Sequence, residues 1–390
     1  MTLSPEIRVL RTREQLNSLR DFWQSCRPCR DADFDFFLFF IDLNPEAQRP
    51  HVIVIYEAGI PTAILAGRLD VTRIPVRVGY FKFPVPKLRI FNFVYGGWLG
   101  DHSEKNAKLL IGSVLERLRA GEADAAMLHY ADLASPLVHS ATSLPSRLCI
   151  DHLIEPQNHW AREGQVGSGL LAGLPANERY NQRRRAKMRA TDFRDIKIET
   201  FQAPDQVDRL MRDAEAVAST SYQRGLGVGF ADTPIIRGRL EFEAHNGWLQ
   251  GHILYLDSKP VALWITSVRN KVAVSDYLAF NPDYTKYAPG MYLMISAIEG
   301  LHDVDRIDFG GGDARYKELF GNKLQRETTV YIFAPTIKSI AVNALRTGAR
   351  AAHQSAKRAL PHLAAIKRRW RTRKLKSGQL EEPRPPMTGP

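Results

Sequence analysis

The sequence predicts an α/β protein of two tandem units, each a central mixed sheet flanked by helices, followed by a basic helical tail. Three observations predict it. A length of 390 residues suits two ordinary domains and an appendage better than a single core. A strand–turn–strand pattern recurs without gaps, Tyr56 falling on Tyr255, which is the mark of a repeated unit. The charge also changes abruptly: from Thr336 to Pro390 thirteen lysines and arginines face only Glu381 and Glu382, so this stretch carries nearly all of the formal net charge of +12. The expected domains are residues 1–165, 166–335 and 336–390. A nearly neutral body argues against nucleic-acid binding by the folded part.

The elements follow in order. Met1-Thr-Leu-Ser-Pro-Glu6 lacks a basic segment followed by an apolar one, so no signal peptide is expected, and the chain reads as cytoplasmic, in reach of the inner membrane surface. Leu16, Leu19, Phe22 and Trp23 keep helical spacing. Cys26-Arg-Pro-Cys29 has CxxC spacing, but no second pair completes a zinc site and no strand-then-helix setting makes it a redox motif. With Cys149 the only other cysteine, two incidental thiols near a helix end are expected. Phe34 to Leu43, broken by Asp35 and Asp42, falls far short of the roughly 20 residues a bilayer requires.

Val52 to Leu65 then reads as a hairpin, and His252 to Trp264 as its echo, with Pro61 on Pro260 and Ala63 on Ala262. A helix precedes each hairpin, Arg13–Trp23 and Pro204–Met211, the second opening on proline. A helix and a short strand follow each, Asn106–Ala120 with Ala125–Tyr130, and Gly290–Leu301 with Arg306–Phe309. Between the copies, six of the eleven residues from Arg179 to Arg189 are basic. They form a cationic helix, either a solvated inter-domain face or a surface for an anionic partner.

Several chemistries are excluded by missing patterns: there is no GxxxxGK[ST] loop, HExxH, GxSxG or strand-borne GxGxxG, and the eleven histidines have no metal-ligand spacing. The remaining chemistry concentrates in two stretches of the second copy. In Asp276-Tyr277-Leu278-Ala-Phe280 a strand ends, and after Lys286-Tyr287-Ala288 the residues Pro289-Gly290-Met291 open a helix. Such a junction presents free N–H groups and the positive end of a helix dipole, suited to a pyrophosphate, with Lys286 adding charge. A plain Pro-Gly turn would leave the same letters. The second stretch runs Asp308-Phe309-Gly310-Gly311-Gly312-Asp313-Ala-Arg315-Tyr316-Lys317-Glu-Leu-Phe320-Gly321, a strand entering three glycines that permit close approach of a ligand or another backbone.

The DFGxGDxxYKxxFG pattern of that second stretch resembles the cellulose-biosynthesis-associated, CelD-like GNAT acyltransferases. Tyr287-Ala288-Pro289-Gly290 resembles that family's YSPG-type opening of the CoA-side helix, and the basic segment near Arg183 a further family feature. The resemblance spans roughly residues 5–335 and is concentrated in 180–335; the tail departs from it. It implies two GNAT-like domains related in architecture to Fem-type aminoacyltransferases, the first degenerate and the second binding acyl-CoA. Leu278, Phe280, Lys286, Tyr287, Pro289, Gly290 and Met291 would then hold the donor, acetyl-CoA or another acyl-CoA, with no metal. Direct attack by the acceptor needs a base and an acid. Asp276, Asp308 and Asp313 are alternative bases, Tyr277 and Tyr316 possible acids, and Lys317 a stabiliser of developing negative charge. Strand alternation puts Asp276 and Tyr277 on opposite faces, so at most one should face the acceptor.

The family association suggests a sugar or glycan precursor of exopolysaccharide or cell-envelope synthesis as acceptor. Two rivals stand beside it. One is a Fem-like enzyme using aminoacyl-tRNA, its RNA held by the basic helix and tail. The other is a non-catalytic effector whose tail, through Arg369-Trp-Arg371-Thr-Arg373, takes a cyclic dinucleotide. Leu363, Ile366 and Trp370 also form an apolar stripe among basic residues, suited to an anionic membrane surface. Residues 337–350 are expected to pack back on the body, and the four prolines from Glu381 onward to leave the end disordered.

Overall fold

The computed structural model describes residues 5–78, 81–144, 156–164, 166, 170–221 and 229–355. Its strands are β1 (Glu6–Leu10), β2 (Ala47–Pro50), β3 (Val52–Glu57), β4 (Ile60–Thr72), β5 (Val76–Val78), β6 (Phe81–Phe83), β7 (Leu88–Gly100), β8 (Ala125–Asp132), β9 (Gln157–Glu163), β10 (Ile196–Phe201), β11 (Leu249–Leu256), β12 (Lys259–Arg269), β13 (Val272–Phe280), β14 (Arg306–Gly311) and β15 (Lys323–Phe333). Strands β5 and β6 pair with each other. The rest form one 13-stranded sheet in the order β1-β3-β4-β7-β8-β15-β9-β14-β13-β12-β11-β10, with β2 beside β4.

Helices cover both faces of each half of this sheet, so the hairpin strands are buried on two sides. In β3, Val52, Val54 and Tyr56 pack with the helices Arg20–Ser25 and Phe34–Leu43, while Ile53 and Ile55 pack with the helix Glu104–Arg119. In β11, Ile253 and Tyr255 face the helices Val207–Ala218 and Pro234–His245, and Leu254 and Leu256 face the helix Pro289–Glu299. Burial on both faces is why these strands read as continuous apolar runs. Each buried Val, Leu or Ile contributes about 1.5–3 kcal/mol.

The echo in the sequence extends to the irregularities of the backbone. Both hairpins turn through two left-handed residues, Ala58 and Gly59 in one and Asp257 and Ser258 in the other, as a two-residue type I′ turn requires. Both carry a register shift at the matching place, between Ile55 and Tyr56 opposite Pro61, and between Leu254 and Tyr255 opposite Pro260. A bulge interrupts the ladder, which is where a strand tolerates proline. A parallel pair follows in each half: β7 with β8 over Ile90–Phe93 and Ala125–Leu128, and β13 with β14 over Val272–Val274 and Arg306–Asp308. In both, the pairing stops before the strands do, and the strands part.

The halves are interleaved. The last strand, β15, pairs with β8 over Glu327–Phe333 and with β9 over Lys323–Glu327, and β9 lies between β15 and β14. Aromatic packing adds a second seam. Phe36 and Phe39 of the helix Phe34–Leu43 meet Phe242, at ring-centroid distances of 5.5 and 4.5 Å. Residues 337–355 are helical, with Val342 and Ala349 buried and Ser339 Oγ donating to the Asp124 carbonyl at 2.8 Å, so this stretch lies back on the first half. Cys149, the apolar stripe at Leu363, Ile366 and Trp370, and the proline-rich end lie outside the described residues. No helix among the described residues is long and apolar enough to cross a membrane.

Candidate functional site

Where β13 and β14 part, a cavity of about 800 Å³ opens between them and the first half. Its second-half wall includes Asp276, Tyr277, Leu278 and Phe280 of β13, Asp308 to Gly311 of β14, and Tyr316 and Lys317 of the helix Arg315–Phe320. The β12–β13 ladder shifts register here: Ile265 pairs with Tyr277 and Thr266 with Ser275, leaving Asp276 as the extra residue. A bulge breaks the two-residue alternation. Both Asp276 and Tyr277 consequently line the cavity, which corrects the expectation that only one would.

Asp276 is nevertheless not a free carboxylate. Arg30 reaches across from the first half, its Nη1 lying 2.5 Å from Asp276 Oδ2, 3.3 Å from Glu243 Oε1 and 3.1 Å from Ser267 Oγ. Arg239 adds a 3.4 Å contact to the other Asp276 oxygen. Burial alone would lower the Arg30 pKa, but Asp276, Asp31 and Glu243 raise it well above the ordinary value. Burial also pushes Glu243 up to about 7, against the pull of Arg239 and Arg30. Removing one member of such a set strands a buried charge, so Asp276 is fastened as part of the seam between the halves.

A second cluster forms the cavity floor. His159 of β9 stands between two carboxylates, Nε2 at 2.6 Å from Asp308 Oδ1 and Nδ1 at 2.8 Å from Glu327 Oε2. Burial works against charging the ring, but the two carboxylates more than offset it and raise the pKa to about 9. Asp308 Oδ1 also accepts from the Gly310 amide at 2.8 Å. Burial raises the Asp308 pKa, but His159 and that amide bring it below the usual range. Among the described residues Asp308 Oδ2 is left with only a long contact, 3.4 Å, from the Tyr95 hydroxyl. Tyr95 arrives by an irregularity of its own: Leu65 pairs with Trp98 and Gly67 with Phe93, so residues 94–97 protrude opposite Ala66. Gly96 is left-handed there, and a Cβ on it would stand 2.5 Å from Cys29 Sγ.

Lys317 is buried, and its ammonium donates to the carbonyls of Gly310 and Gly311 at 3.1 and 2.7 Å. Burial lowers its pKa. These bonds tie the glycine loop to the helix Arg315–Phe320, and Lys317 also lines the cavity. Asp313 is exposed, accepts from Asn158 Nδ2 at 2.8 Å and lies outside the cavity wall.

The proposed donor residues lie around the start of the helix Pro289–Glu299. Its N-cap, Ala288, has φ +47° and offers no side-chain cap, and the first turn holds no acid. Backbone N–H groups there remain open to a ligand. The matching helix in the first half, Glu104–Arg119, is closed instead: Ser103 Oγ accepts from the Asn106 amide, Asp101 accepts from Ser103, and Glu104 sits in the first turn. Tyr287 donates to Asp192 at 2.5 Å, and Lys286 is exposed and pairs with the same carboxylate at 3.5 Å. Arg189, buried on the cationic helix Ala176–Asp192, donates to the Tyr287 carbonyl at 2.8 Å and lies over the Tyr292 ring. Leu278 and Phe280 line the cavity; Lys286, Tyr287, Pro289, Gly290 and Met291 do not.

Sequence reasoning missed Arg30, Tyr95, His159 and Glu327. Nothing local marks them, since each joins the cavity's side-chain clusters only through a partner more than 100 residues away. The CxxC thiols carry no chemistry here: both are free, and burial pushes Cys29 up to about 12. Among the described residues no group of three or more His, Cys, Asp or Glu is placed to hold a metal ion.

The family model described as an acetyltransferase (GNAT) domain matches residues 177–318. No curated protein sequence matches the chain. Among solved structures, FemX is similar over 84% of this chain and 97% of its own, at 11% identity and a TM-score of 0.52, a likeness of fold. A tandem GNAT protein from the clavulanic acid biosynthesis pathway matches over 85% of this chain and 99% of its own, at 11% identity and a TM-score of 0.49. A conserved protein of unknown function from Bacteroides thetaiotaomicron VPI-5482 matches over 81% and 97%, at 13% and 0.48. The matched residues 177–318 contain β13, β14 and the uncapped helix start between them. Built as two tandem GNAT-like units, the chain carries a GNAT acetyltransferase domain in its second half and is an acyltransferase by virtue of it.

Proposed function

We propose that the protein transfers an acyl group, acetyl in the simplest case, from acyl-CoA to an amine or hydroxyl of a sugar or glycan precursor, as a CelD-like enzyme of exopolysaccharide or cell-envelope synthesis. One observation carries the donor assignment: the helix start at Pro289 is uncapped and free of acid, whereas its counterpart at Glu104 is closed by Ser103 and Asp101. An uncapped N-terminus at the opening of a splayed strand pair suits a pyrophosphate. The contrast supports a donor site in residues 166–335 and a first unit, residues 1–165, that has given up donor binding.

In this reading the acceptor's nitrogen or oxygen attacks the thioester carbonyl carbon, the C–S bond breaks, the acceptor loses a proton and the thiolate gains one. Asp308 Oδ2, a carboxylate oxygen of the cavity wall with only a 3.4 Å contact among the described residues, is assigned the proton acceptor. Tyr316 is assigned the donor. Asp276 holds the seam, and Lys317 the loop. The acceptor class rests on the family resemblance, and the chemistry of the wall is compatible with it.

A second reading, aminoacyl transfer from aminoacyl-tRNA, draws on the helix Ala176–Asp192, whose Arg183, Arg184 and Lys187 are exposed. Titration calorimetry with acetyl-CoA and with tRNA, at two salt concentrations, separates the two. Binding of acetyl-CoA with release of free thiol on turnover is expected. Salt-sensitive tRNA binding without CoA binding would overturn the donor assignment. The basic residues beyond 361 are proposed to meet an anionic membrane, so deleting 361–390 should abolish sedimentation with anionic vesicles and leave CoA binding intact.

A further inference from the structure

The wall that the first half gives the cavity has a chemistry of its own. There the first half contributes Arg68 of β4 and Asn92 of β7, with Phe40, Tyr95, His129 and Tyr130 around them. Arg68 is fastened from two sides. Its Nε donates to Asp70 Oδ1 at 3.0 Å, and its guanidinium carbon lies 4.9 Å from the centre of the Phe40 ring. Asp70 is itself buried and accepts from Asn92 Nδ2 at 2.7 Å. Only Nε is engaged; among the described residues the two terminal nitrogens have no hydrogen-bond partner, and the side chain is 13% exposed on the cavity wall.

The other cations of the wall are committed elsewhere. Arg30 is ringed by Asp31, Asp276 and Glu243, and Lys317 is bonded to two carbonyls. Asp31, also on the wall, pairs through Oδ1 with Arg30 at 3.0 Å. His129 is held neutral, since burial and then Arg68 push its pKa down to about 4. A planar fork held from two sides on a cavity wall, with two unengaged donors, is a receptor for a bidentate oxyanion. Its ordering cost is met on folding rather than on binding.

We propose that Arg68, positioned by Asp70, Asn92 and Phe40, binds an anionic group of the acceptor, a phosphate or a carboxylate, while the adjoining aromatic rings face the body of that molecule. The acceptor would thus be anchored on the first half and present its nucleophile toward β13 and β14. This deepens the acyl-transfer reading and rests on it for the word acceptor, though the subsite itself does not.

The test uses the full-length protein and three probes: glucose 1-phosphate, glucuronate and glucose. Titration calorimetry should show at least one of the two anions binding roughly tenfold or more tighter than glucose. Binding of the phosphate alone or the carboxylate alone would name the group. Two variants are compared: Arg68→Lys, which keeps the pair with Asp70 but loses the fork, and Arg68→Met with Asp70→Asn, which leaves no buried carboxylate unpaired. Each should lose that preference by about tenfold while acetyl-CoA affinity stays as in the wild type. Anions that bind no better than glucose, or that bind both variants as they bind the wild type, would overturn the proposal. Wild-type protein that ignores acetyl-CoA but keeps Arg68-dependent anion binding would sustain the subsite and remove the donor assignment.

Discussion

His159 and three other histidines titrate in opposite directions, and the stability of the protein should record both. In the folded state His159 has a pKa of about 9 against an ordinary 6.5. Its stabilisation is therefore complete below about pH 6.5 and is lost as the pH rises toward 9, an effect on the order of 3 kcal/mol. Chemical denaturation across that range should show wild-type stability falling, and His159→Gln should remove most of the slope. An unchanged slope would show that the ring is neutral. His51, His129 and His252 are held neutral by burial, at about 3, 4 and 4. The unfolded chain takes up those protons below about pH 6.5, so their contribution is present above that pH and lost as it falls. His51 stacks on Phe91 at 3.7 Å with both ring nitrogens buried and unpaired. His51→Phe should keep the stacking and make the acid limb of the stability curve shallower.

Ser258 sits at φ +65° in the β11–β12 hairpin, a position that Gly59 fills in the first half. A left-handed non-glycine residue costs about 1–2 kcal/mol, so Ser258→Gly should raise the unfolding free energy by up to about that amount. A destabilised variant would mean that the serine side chain secures the turn. A Cβ at Gly290 would lie 3.3 Å from Phe280 Cδ1, and a β-branched side chain would push that ring toward the cavity it lines. Gly290→Val should therefore weaken acetyl-CoA binding by roughly tenfold or more, at an overpacking cost of about 1–3 kcal/mol in stability. Unchanged affinity in the folded variant would move the donor site away from this helix.

For the whole molecule, β15 is the strand on which both halves depend. It lies between β8 and β9 in the sheet, and its Val330, Ile332 and Phe333 are buried. A chain ending at Asn322 would expose unpaired strand edges on both sides of the gap. Such a chain should lack a cooperative thermal transition and aggregate, whereas separable halves would leave one folded unit detectable by circular dichroism and limited proteolysis.

The sequence by itself determined the duplicated hairpins, the helix start at Pro289 and the glycine-rich end of β14. Each is a local pattern, set by apolar periodicity, a proline or a run of glycines, and local patterns are written in adjacent residues. That the stretch from 337 packs back was expected, but the face that does so, with Ser339, Val342 and Ala349 buried and Ile337 and Leu345 exposed, was decided by the tertiary structure. Tertiary structure alone decided which side chains meet in the cavity. A bulge turned Asp276 and Tyr277 to the same space, and a protrusion at residues 94–97 carried Tyr95 to Asp308. Strand β9 set His159 between Asp308 and Glu327, and Arg30 bound Asp276 from 246 positions away. Such partnerships have no periodicity to betray them, because they arise from the order of strands in the sheet and from where its ladders slip.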